Sequence, residues 1–93
     1  MMNKMLALKG NMTTTGGVVL DGDDSMSDNG QPLARHLGLA SCPQCGHPGP
    51  IVGTAKNWGI SGMPSVRDGD IIMCRCPSGT NRVIARSTIY DGD

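Results

Sequence analysis

The sequence predicts a small all-β protein built from three hairpin-like units, and three observations carry that prediction. Turn-forming residues are dense, with 14 glycines and six prolines among 93 residues. Short aliphatic and β-branched runs recur between them, and no window sustains the i, i+3, i+4 apolar spacing of a helix. The chain also repeats itself. "NGQPLARHLGLASC" (29–42) lies over "SGMPSVRDGDIIMC" (61–74) at an offset of 32, matching Gly30 with Gly62, Pro32 with Pro64, Arg35 with Arg67 and Cys42 with Cys74. A fixed period of this kind marks stacked or symmetric supersecondary units.

The elements follow in chain order. The N-terminal "MMNKMLALKG" holds a four-residue apolar run, Met5 to Leu8. A secretory signal needs roughly 7–15 apolar residues and a cleavage site, so this is not one. No segment is long enough to span a bilayer. The expectation is a chain made in the reducing cytoplasm, where cysteines stay as thiols or bind metal. "GGVVLDG", "GPIVGT" and "NRVIARS" read as strands, and the 32-residue offset superimposes their apolar pairs Val19-Leu20, Ile51-Val52 and Val83-Ile84. The first unit matches the others only at that pair and has no cysteine. "DNGQP", "ISGMP" and "RDGD" are turns, because Asn-Gly and Asp-Gly accept the positive φ of tight hairpins. "DGDDSMSD" has the acidity of a calcium loop, but Met26 stands where such a loop needs Gly and Pro32 where it needs Glu. Trp58, in "AKNWGISG", is read as a loop anchor covering a small core.

That core needs help. A chain of this size buries only roughly 60–65% of its unfolded surface. This one has no Phe, one Trp and one Tyr, so a structural metal is a natural staple. Eight basic and eight acidic residues cancel, leaving no field to attract nucleic acid or an anionic membrane.

The cysteines occur as Cys42-x-x-Cys45 and Cys74-x-Cys76. In "SCPQCGHPGP", Pro43 and Gly46 suit a knuckle that turns both sulfurs to one side. Four thiolates at about 2.3 Å in a tetrahedron would complete a closed zinc site. A disulfide framework would need an oxidising compartment, and a Cys-x-Cys bridge is strained. A thioredoxin-like redox pair lacks its βαβ setting. Iron could take the same sulfurs, but a closed, redox-inert site favours zinc. His47, two residues past Cys45, is read as a neighbour of the site that could replace a sulfur, and His36 as a surface residue. No Ser-His-Asp, Cys-His or paired-carboxylate arrangement supports catalysis.

Taken together, "MTTTGGVV", "DNGQPLAR", "SCPQCG" and "SVRDGD…MCRC…NRVIARS" resemble the PAAR-repeat proteins, the tips of the bacterial type VI secretion spike. The resemblance runs from about Met12 to Ser87, and Pro32-Leu33-Ala34-Arg35 stands for the naming motif, with Leu for its first Ala. It implies a single domain over 1–93 with no fused effector. It also implies a small Gly-rich cone of pseudo-threefold character, stapled by one zinc near its point. The partner it implies is a trimeric VgrG-type spike, taking one copy of this otherwise monomeric chain per trimer. Nucleic acid and stable membrane insertion are not expected, and export would occur at the spike tip without a signal peptide.

The family's zinc ligands fall here on Thr15, Cys45, the Asp68-Gly69-Asp70 stretch and Cys74. Thr15 is a poor ligand, so the resemblance carries over only Cys45 and Cys74. The spacing argument adds Cys42 and Cys76, with His47 or Asp70 as alternative donors. From the residues alone, a rival reading is a small zinc-ribbon binding module. The neutral charge, scarce aromatics and long gap between the cysteine pairs weigh against its binding nucleic acid. A rubredoxin-like electron carrier is a third reading.

Overall fold

The computed structural model describes residues 4–28, 30–60, 63–77 and 79–91. Among them there is no helix, and ten strands of two to six residues pair antiparallel in twos. Three long hairpins account for the pairs. In the first, β3 (Asp23–Asp28) pairs with β4 (Gln31–Leu33), Asp28 facing Gln31 and Asp23 facing Leu33 across a bulge. The same two arms meet again where Val19 bridges Ala40 and Ser41 N–H donates to Val18 O at 2.9 Å. The second repeats this 32 residues later. There β7 (Ala55–Ile60) pairs with β8 (Met63–Ser65), Ile51 bridges Ile72, and Met73 N–H donates to Pro50 O at 2.8 Å.

The third hairpin is assembled from both ends of the described chain. β10 (Tyr90–Asp91) pairs with β1 (Lys4–Met5), and β9 (Val83–Ile84) pairs with β2 (Met12–Thr13). Thr14 N–H donates to Arg82 O at 2.9 Å, the counterpart of the Ser41 and Met73 bonds. Neighbouring hairpins then join side by side. β5 (Leu39–Ala40) meets β6 (Gly49–Pro50) with Leu39 opposite Pro50, Ile71 bridges Arg82, and Met12 bridges Val18. The three contacts are equivalent, so the sheet closes on itself.

Closure is tightest at the centre. Ala7 N–H donates to Val66 O (2.8 Å), Val66 N–H to Ala34 O (3.2 Å) and Ala34 N–H to Ala7 O (2.9 Å), a ring of three bonds with one residue from each hairpin. Each layer of the core repeats that pattern. Ala7, Ala34 and Val66 form one triangle, and Val19, Ile51 and Val83 another. Thr13, Ala40 and Ile72 form a third, and every member of the three is buried. Side chains that converge three at a time on one axis must be small, which explains why the core contains no Phe and rests on Ala, Val and Ile. Leu6, Leu8, Leu33 and Ala55 form a second cluster beneath the ribbons.

Corresponding positions also explain the local oddities. Gly10 (φ 94), Leu37 (φ 68) and Gly69 (φ 87) occupy the same turn. Leu37 therefore accepts a left-handed conformation that L-residues disfavour, because its hairpin uses the turn the other two use. Asn11 and Asp70 pin that turn alike: Leu8 N–H donates to Asn11 Oδ1 at 3.0 Å and Arg67 N–H to Asp70 Oδ2 at 2.9 Å. Burial pushes the Asp70 carboxyl above the usual range, while hydrogen bonds from Thr54 and Arg67 oppose the shift.

His36 departs from expectation. It is half-buried rather than on the surface, and its Nδ1 accepts the Gly53 N–H at 3.0 Å. Asp68 does the same for Ala85 N–H one unit later. His36 thus closes a backbone gap that a surface residue would leave to water. The side chain of Trp58, and residues Asn29 and Gly62 of the two turns, lie outside the described residues.

Candidate metal centre

At one end of the three-hairpin body, successive hairpins are joined by loops, and these loops carry the site. Residues 41–50 and 73–82 are ten-residue connections, whereas the matching connection 14–18 has five. The shorter loop has room for neither a Cys-x-x-Cys knuckle nor a Cys-x-Cys turn. This places Thr15, Cys42 and Cys74 at corresponding positions on the three loops. The longer loops add Cys45 and Cys76.

Two glycines let the loops approach each other. A Cβ on Gly17 would lie 2.0 Å from Ser41 O, and one on Gly49 would lie 2.4 Å from Met73 O. The third position of this set is Asn81, which is fully buried and uses its side chain at the site.

The four sulfurs converge. Cys42, Cys45, Cys74 and Cys76 place their Sγ atoms within 4.8 Å of one another, with Cys42 and Cys76 at 3.6 Å. All four are free thiols. A tetrahedron with metal–sulfur bonds of about 2.3 Å separates its sulfurs by about 3.8 Å, so the cluster is close to the size that one ion needs. It is also far wider than a disulfide bond of about 2.05 Å. The donor set is purely soft, the kind that holds zinc or iron rather than magnesium or calcium. Cys42 is buried and the other three half-buried, so the surroundings wrap most of the site.

The alternative donors stand apart from this group. His47 is exposed, and only its backbone carbonyl meets the site, accepting from Cys45 Sγ at 3.6 Å. Asp70 is committed to Thr54, whose hydroxyl donates to Oδ1 at 2.6 Å, and to the Arg67 N–H.

The thiols ionise unequally. The Thr15 hydroxyl holds the Cys42 thiol down at about 6, with burial opposing and the Cys45 backbone assisting. Burial would raise Cys45, but the backbones of His47 and Arg75 bring it below the ordinary thiol value. Burial and the neighbouring sulfurs push Cys76 up to about 12. The Cys42 and Cys45 thiols are thus easier to ionise than a free cysteine, and Cys76 is harder.

A pH profile follows for the metal-free protein. A depressed folded pKa at Cys42 adds stability that is present above 9.0, its ordinary value, and is lost as pH falls through about 6. The raised pKa of Cys76 adds stability that is present below 9.0 and is lost as pH rises toward about 12. In EDTA, thermal melts should therefore show stability rising from pH 6 to 9 and falling beyond it. A flat profile over that range would deny that the cluster interacts.

Fold and site together define a small, three-hairpin β-protein closed at one end by a soft-donor cluster. The chain belongs to the PAAR motif family, whose model matches residues 9–80. The PAAR motif is associated with the tip of the type VI secretion spike. Comparison with curated proteins gives no match. Among the described residues, no helix is long and apolar enough to cross a membrane.

Sequence reasoning missed Asn81. Its signal was the 32-residue offset, which sets Asn81 against Gly17 and Gly49 and so marks a side chain where the other units need none.

Proposed function

We propose that this chain is a non-enzymatic tip of a type VI secretion spike, capping a VgrG-type trimer and sharpening it for penetration of a target envelope. The observation that carries the reading is the PAAR match over residues 9–80, on a body that closes with three equivalent hairpins. One zinc, held by Cys42, Cys45, Cys74 and Cys76, ties loop 41–50 to loop 73–82 at the point. Metal bonds resist load there without requiring a large core, and the small triangular layers of Ala, Val and Ile could not do so alone.

The opposite end is the docking face. There the paired strands end with Asp28 opposite Gln31, with Ile60 opposite Met63, and with the β1–β10 ribbon. Three comparable ribbons let one asymmetric chain meet three identical spike subunits. The chain is made in the cytoplasm and leaves with the spike as a monomer bound to its trimer.

Native mass measurement of the chain mixed with its cognate VgrG tests this reading. One copy per trimer is the expected mass. Three copies, or no complex, would refute it.

A further inference from the structure

The first loop brings no sulfur to the point, yet it is tied to the site. Thr15 stands where the other loops carry Cys42 and Cys74. Its Oγ1 lies 3.5 Å from Cys42 Sγ and 3.0 Å from Asn81 Oδ1. Thr13 Oγ1, 3.4 Å away, is a third neighbour. A hydroxyl has one proton to donate and two lone pairs to accept with, so Thr13 can donate to Thr15 while Thr15 donates onward.

Asn81 extends the chain of contacts. With Oδ1 receiving the Thr15 hydroxyl, its Nδ2 faces Cys74 Sγ at 3.8 Å. Asn81 is fully buried, so water cannot replace either partner, and a Cys74 thiolate, which can only accept, keeps the Nδ2 side of the amide toward it. One short polar relay thus joins all three loops and ends on a sulfur in each of the two that carry cysteines.

We infer that Thr15 and Asn81 are positioning residues for a metal-bound cluster: Asn81 donates to Cys74 Sγ, and the single Thr15 proton is shared between Asn81 Oδ1 and Cys42 Sγ in a three-centre hydrogen bond. This rests on the metal reading above. Four thiolates around a divalent ion leave two surplus negative charges, and a donor at sulfur withdraws part of that charge while fixing the direction of its lone pairs. Outer partners of this kind commonly govern metal affinity by about 10- to 100-fold. In the first loop the hydroxyl takes the place of a ligand: the loop joins the site by a hydrogen bond instead of a metal bond.

Cobalt(II) substitution of the full chain tests this, read by the sulfur-to-cobalt charge-transfer band and by chelator competition. Thr15→Val keeps the shape and removes the donor. It should move the band to lower energy and weaken cobalt binding by about 10- to 100-fold, while Thr15→Ser should restore both. Asn81→Gly, which installs the residue found at the two equivalent positions, makes the same test at Cys74 should Thr15→Val fail to fold. Variants that bind cobalt with the wild-type band and affinity would overturn the role of the pair while leaving the metal reading intact. A wild-type chain that takes up no cobalt would remove both.

Discussion

Replacing Cys74 with serine should lower the melting temperature of the metal-loaded protein by about 15–25 °C, whereas His47→Ala should leave it within about 3 °C of wild type. The difference follows from where each side chain stands. Cys74 lies in the four-sulfur group and anchors loop 73–82 to loop 41–50. His47 is exposed, with its ring outside that group. In a body whose buried layers are mostly Ala, Val and Ile, free energy released at the metal is free energy of folding. Differential scanning calorimetry in excess zinc decides between the two. Equal melting temperatures for Cys74→Ser and wild type would mean that the cluster contributes nothing to stability. A large loss in His47→Ala would put its imidazole among the ligands.

Gly49→Ala should cost about 3 kcal/mol, near the upper end of overpacking effects. The added Cβ would fall 2.4 Å from Met73 O and 2.8 Å from Cys74 N, both backbone atoms of the next loop. No rotamer change relieves such a contact, so the two arms of the second hairpin must separate at the base, where they lead into the two cysteine loops. Gly30→Ala is the comparison. Nothing lies within 4 Å of a Cβ there, and only its φ of 82° opposes the change, at a cost of about 1–2 kcal/mol. Urea denaturation measures both. Finding Gly49→Ala no worse than Gly30→Ala would mean that the loops are not packed as closely as described.

Much of this architecture is legible in the sequence because it repeats. The 32-residue offset relates the first and second hairpins residue by residue, down to the Asp23–Leu33 and Ala55–Ser65 pairings. The first unit hid its likeness for a physical reason. Its connecting loop is five residues shorter, so its ascending arm runs 27 residues ahead of the second rather than 32, as the Ala7–Ala34–Val66 ring makes plain. A third hairpin made from the chain's two ends likewise has no turn signal to read. The Cys-x-x-Cys and Cys-x-Cys spacings pointed to convergent sulfurs, which the fold brings together. His36 and Asn81 could not be read that way. Each serves a backbone or a sulfur brought near by the closed sheet, and nothing in their sequence neighbourhoods announces that partner.

The account depends most on the four sulfurs acting as one site. Native mass spectrometry of the purified chain, before and after treatment with a thiol-alkylating reagent, tests that directly. The prediction is the mass of the chain plus one zinc, with the four cysteines protected until a chelator or acid removes the ion. A metal-free chain that alkylates at once on all four cysteines, or one that carries a disulfide between Cys42 and Cys76, would contradict it.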